Sequence, residues 1–256
     1  MNNLIGVGDA IKAAIAIVRK NLVWFVVLGA TPQIVTSLIS QVFFGGLDKQ
    51  ILSPTNPYQF INFTQLFSGV IVLFFVSFIL GTAFAIMQIL LVIKTDKGEA
   101  VNFSDLLSAS LKLFFSYLIL GAFVGITVLV GIVLLVVPGI VFATWFFASF
   151  FILAQEGKRG MEAMKASKAL VQGHTMDVLT RFFLGILVYA LVSIVVGLIL
   201  LPLEAIYLVG SVVSALISAV LGAVSLSFSY VIYRSLVEIK SAANPPAVSQ
   251  PAPVAP

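Results

Sequence analysis

The chain has 256 residues, 61% of them hydrophobic and only 9% charged, with a mean hydropathy of +1.16. A soluble domain carries about 25% charged residues, and a barrel strand alternates apolar and polar over about 10 residues, so this composition and its long apolar runs exclude both. The formal charge of +4 is spread along the chain in no nucleic-acid patch, and the lack of cysteine removes disulfides, thiolate chemistry and cysteine-based metal sites.

In chain order, MNNLIGVGDA has no basic n-region, so no cleaved signal peptide is expected. Residues 4–20 place Leu4, Val7, Ile11, Ala14, Ile15 and Val18 on one helical face, with Asp9, Lys12, Arg19 and Lys20 opposite. Such a helix lies in the membrane interface. A first span follows at about 22–44 and contains Pro32. The stretch from 45 to 65 is the one sizeable polar loop, with turns at Ser53-Pro54 and Asn56-Pro57 and a chance-length glycosylation sequon at Asn62. The second span covers about 66–93.

Residues 103–112 form a second amphipathic segment. From Leu113 to Gln155 no charge occurs, which is too long for one helix. Pro138-Gly139 divides this run into spans of about 113–136 and 138–155, Gly suiting a tight turn and Pro a helix start. A third amphipathic helix is expected at about 160–172, then spans at about 178–201 and 206–232. Residues 241–256 are rich in Pro and Ala and form an expected disordered tail.

The reading is an all-α integral membrane protein with six transmembrane helices. GDAIKAAIAIV from Gly8, SDLLSASLKLF from Ser104 and MEAMKASKALV from Met161 each precede a pair of spans, so three repeats of amphipathic helix plus membrane hairpin are expected. All Lys and Arg except Lys49 fall on one side of this topology, which places both termini in the cytoplasm. The basic faces make anionic lipid at that surface the expected partner, at about 1 kcal/mol per nearby cation.

Chemistry is harder to find. No P-loop, GxSxG, HExxH or dinucleotide fingerprint occurs, and His174 is the only histidine. No catalytic residue, metal site or cofactor is expected, and the chain is not read as an enzyme. None of the six spans has an ionisable residue near its centre, where a coupling acid would lie. Glu156, followed by Gly157, Lys158 and Arg159, reads as the boundary of the fourth span, and Glu204 as a solvated turn residue.

Two polar or small-residue patterns remain. On the first span Gln33, Thr36, Ser37, Ser40 and Gln41 fall in one arc just after Pro32, and Gln88 adds an amide from the second span. Interhelical hydrogen bonds would satisfy them; a hydrated cavity wall is the alternative. On the sixth span Gly210, Ser214, Ser218 and Gly222 form a ladder, with Ser211, Ala215, Ala219 and Ala223 alongside, that suits close helix packing.

The turn VVPGI with Pro138 and Gly139, the run to ILAQEG with Glu156 and Gly157, and GMEAMKASKALVQG together resemble a prokaryotic family of six-span proteins. It comprises YciC-like inner-membrane proteins and the membrane region fused to some glycerophosphodiester phosphodiesterases. The resemblance covers about 40 residues and implies a location in the cytoplasmic (inner) membrane, without a settled activity. The phosphodiesterase domain is absent, so that activity does not carry over. Two functions compete: a non-enzymatic protein of membrane organisation, assembly or lipid and partner binding, and a transporter or channel for a neutral solute or lipid along the polar face of the first span.

Overall fold

Lipid offers backbone amides no hydrogen-bond partner, so an apolar run must satisfy its own as a helix. The computed structural model describes residues 4–44, 63–204 and 207–243, and their regular structure is helical throughout. In order the helices are α1 Val7–Lys20, α2 Leu22–Phe44, α3 Phe63–Lys97, α4 Phe103–Leu134, α5 Val136–Phe146, α6 Ser149–Glu156, α7 Gly160–Val171, α8 Thr175–Glu204 and α9 Tyr207–Ala243. Taking α5 and α6 together, six helical stretches are long and apolar enough to cross a membrane. The polar loop with Lys49 and Asn62, the Glu204 side chain and the tail beyond Ala243 lie outside the described residues.

Two boundaries differ from expectation. Residues 103–112 are not a separate interfacial helix but the start of α4, capped where the Asn102 side chain accepts from the Ser104 amide at 3.2 Å. Neither Gly nor Pro stands between 103 and 120 to stop the helix, and Lys112 marks polarity rather than an end. The break before the fourth span comes at Leu135, which is extended at φ −165°, ψ 141°. Pro138 sits inside the first turn of α5, where its missing N–H is not needed. Around this turn the side chains of residues 133–137 are apolar and exposed, Val133 at 78%.

The fourth span is divided at residues 147 and 148, which separate α5 from α6 while keeping right-handed helical dihedrals. The Phe147 ring meets Phe182, whose ring in turn meets Phe228 of α9. Gln155, at the far end of α6, bonds to Tyr230 of the same helix.

Burial concentrates where the basic residues are. The main core gathers Ala14 and Ile17 of α1, Leu91 and Val92 of α3, Ile152 and Leu153 of α6, and Ile232 and Leu236 of α9. We call this the basic end. The opposite halves of α3 and α8 present exposed side chains such as Phe67 and Leu198, as lipid-facing surfaces do. α9 is central, contacting α1, α2, α3, α7 and α8.

The three similar segments share a burial pattern. The residues one and five positions after each acid are wholly buried: Ala10 and Ala14, Leu106 and Ser110, Ala163 and Ser167. Small or compact side chains at this spacing let each helix lie close against the bundle while its acid and lysines stay outside.

Candidate functional site

The last turn of α3 and the YVIYR stretch of α9 meet at the basic end. Tyr230, Tyr233 and Arg234 stand at i, i+3 and i+4 and so share one face of α9. Asp96 accepts from Arg234 Nη1 at 2.6 Å through Oδ1, and from the Tyr230 hydroxyl at 3.2 Å through Oδ2. Gln155 of α6 completes the cluster, donating to Tyr230 Oη at 3.2 Å and accepting from the Tyr233 hydroxyl at 3.2 Å. Phe151, one turn before Gln155, stacks on Tyr233 at 5.5 Å and meets Tyr230 edge-on.

The electrostatics are asymmetric. The Asp96 side chain is 14% exposed, whereas Arg234 is 42% exposed and also lies 3.5 Å from Glu238. The cluster thus holds a mostly buried carboxylate with a cation that reaches water. Its donors and acceptors are used on one another, so it can lock α3, α6 and α9 together. Asn21, between α1 and α2, adds a bond to Thr95 Oγ1 at 2.9 Å.

A second constellation docks α7. Ser167 donates to the Trp145 carbonyl at 2.6 Å, and the Lys168 ammonium lies 4.4 Å from the centre of the Trp145 ring. Trp145 Nε1 donates to Thr175 Oγ1 at 3.2 Å, where α8 begins. His174 lies beside Asp177 at 3.4 Å, in keeping with a helix-start role. Among the described residues no three His, Asp or Glu side chains gather into a metal-binding group.

Among the described residues, the polar arc of α2 is not brought together with partners on other helices. Gln33 donates to its own Gly29 carbonyl at 3.3 Å and is exposed, as is Gln41. Thr36 turns back to the Pro32 and Gln33 carbonyls, and Ser37 and Ser40 are half-buried. Among the described residues Gln88 alone crosses, donating to the Leu28 carbonyl at 3.4 Å. This is the carbonyl that residue 32 would bond in a regular helix, and proline has no N–H to give it. Gln88 therefore fills the gap that Pro32 leaves. Gln88→Leu should lower thermal stability in detergent by roughly 0.6–1.7 kcal/mol, the range of hydrogen bonds between membrane helices. An unchanged unfolding midpoint would show the bond to be idle.

The ladder on α9 is offset by one residue from the one expected. Ala215, Ala219 and Ala223 are buried, while Ser214, Ser218 and Gly222 are half-buried and a Cβ on Gly222 would meet nothing within 4 Å. Gly210 is buried. The close approach is to α2, where a Cβ on Gly29 would stand 2.7 Å from that of Ala219.

Glu156 is exposed and pairs with Lys158 at 2.7 Å, and Gly157 ends α6 in the left-handed region at φ +68°. Gly139 is helical, contrary to the expected turn glycine. Its missing Cβ admits α4, since a Cβ there would lie 2.8 Å from the Ile132 nitrogen.

Sequence reasoning missed Asp96, Gln155, Tyr230, Tyr233 and Arg234. The signal was the two tyrosines and the arginine on one face at a span end, with an acid isolated among lysines in KTDK. Comparison with protein-family models, with curated proteins and with solved structures gave no match for the chain.

Proposed function

We propose that the chain is a non-enzymatic multi-pass protein of the cytoplasmic membrane of a prokaryote, with both termini in the cytoplasm. Its role is membrane organisation or assembly through binding of lipid or a partner protein. The observation that carries this reading is the pair of amphipathic helices α1 and α7, docked at the basic end with Lys12, Arg19, Lys20, Lys165 and Lys168 exposed. Docked basic helices present a fixed cationic surface to an anionic leaflet. The resemblance to the YciC-like family accords with it.

A transporter for a neutral solute or lipid is the second reading, favoured by the exposed Gln33 and Gln41 on α2, a helix that carries Pro32 within it. Single cysteines at Gln33, Ser37 and Val35, in a chain with none of its own, separate the two. A membrane-impermeant maleimide applied to intact cells and inverted vesicles should leave all three unlabelled. A cysteine at Lys165 should react in inverted vesicles only. Labelling of Gln33 and Ser37 but not Val35 would put water on the arc and favour the transporter.

A further inference from the structure

We infer that the cleft between α8 and α9, roofed by α1, binds one anionic phospholipid, with an acyl chain in the cleft and the phosphate beside Lys12 and Arg19. This rests on the lipid-binding reading above and gives it a site. The cleft holds about 310 Å³, at the small end of the roughly 300–1,000 Å³ of ligand pockets. Its walls are apolar: Ile186 and Val192 from α8, Val224 and Phe228 from α9, Ile11 and Ile15 from α1.

Length and position select a lipid chain. Along α8 the cleft runs over residues 182–192. Ten residues rise about 15 Å, half of the roughly 30 Å hydrocarbon core, so the cleft matches one leaflet. Gly185 shapes its wall, since a Cβ there would stand 2.8 Å from the Phe228 ring. The roof is fixed in place. Arg181 donates to the carbonyls of Leu4 and Ile5, each at 2.7 Å, and the Ile5 amide donates to Ser235 Oγ at 3.4 Å.

Charge selects the headgroup. Ile15 is 36% exposed at the cleft, and Lys12 three residues before it and Arg19 four after border it on α1 rather than standing opposite it as the sequence pattern suggested. Both cations are exposed, and among the described residues neither joins a salt bridge with another. A phosphate carrying net negative charge gains from both; a zwitterionic headgroup gains far less.

The test uses the purified full chain in phosphatidylcholine vesicles that carry a trace of phosphatidylglycerol, or of phosphatidylcholine, with a diazirine on the acyl chain. After irradiation, peptide mass spectrometry should find the phosphatidylglycerol adducts concentrated at 182–192 and 221–229. Lys12→Gln with Arg19→Gln should weaken them about fivefold per charge and spare the phosphatidylcholine adducts. Ser225→Trp should fill the cleft and remove both. The charge changes touch no buried residue, so they keep the test valid even if the tryptophan variant misfolds.

Adducts spread evenly over other lipid-facing stretches such as 67–79, or unaffected by the charge changes, would overturn the proposal. So would a cross-link joining two copies at the cleft, which would make a second chain the occupant. Failure here with a dry polar arc on α2 would remove the site alone. A water-labelled arc would instead overturn the broader reading.

Discussion

Gly139→Ala is expected to destabilise the protein even though alanine is the better helix former by about 1 kcal/mol. A Cβ on Gly139 lies 2.8 Å from the Ile132 nitrogen, and one on Gly131 lies 2.8 Å from the Gly139 Cα. These are backbone contacts, which cannot rotate aside as the tip of a side chain can. The helices must separate, and overpacking of this kind costs about 1–3 kcal/mol, which outweighs the gain in propensity. Gly139→Leu should open the hairpin further.

Gly125→Ala is the control. It lies on α4, the helix that Gly139 of α5 packs against, with nothing within 4 Å of an added Cβ, so propensity alone should act and stability should hold or rise. Thermal unfolding of the three purified variants in detergent measures this, and a Gly139→Ala protein as stable as Gly125→Ala would refute the close approach of α4 and α5.

Arg234→Met is the second large expected effect, and it should exceed that of Asp96→Ala. Removing the arginine strands a carboxylate that is only 14% exposed, with the Tyr230 hydroxyl as its remaining partner. Removing the aspartate leaves a guanidinium that is 42% exposed and still near Glu238. Breaking a fully buried pair costs about 3–5 kcal/mol; partial exposure and the surviving tyrosine bond reduce this to about 2–3 kcal/mol for Arg234→Met. Asp96→Ala should cost roughly 1–2 kcal/mol. The double variant should be more stable than Arg234→Met alone, because no charge is left stranded. Equal losses for the two single variants would show that the asymmetry of exposure carries no energetic weight.

Much of the architecture is legible because the bilayer imposes it. A run of apolar residues long enough to cross must be helical, and hydropathy alone therefore yields the six stretches. Breaks are less legible. The division between α5 and α6 at 147–148 has neither Gly nor Pro to mark it. The continuity of α4 through Lys112 was hidden because a charge near an interface looks the same whether the helix stops or goes on.

The polar lock was hidden for a related reason. Asp96 and Arg234 are 138 residues apart and each sits at a span end, where charges are expected on topological grounds alone. Their pairing depends on α3 and α9 being neighbours, which local pattern does not encode. Gln88 was visible as an amide on the second span, but its partner was sought in the polar arc. The stronger demand came from Leu28, a backbone group with nothing polar in its own side chain.

The exposed apolar turn between α4 and α5 bears on how the chain is made. A helical pair joined by a polar loop must carry that loop through the hydrocarbon before both helices can sit in the membrane. Residues 133–137 offer no polar side chain to carry. With Gly131 and Gly139 already pressed together, the pair can leave the insertion machinery sideways as one closed unit, tip first. Its entry then needs neither a passage for charge nor the membrane potential to draw it through.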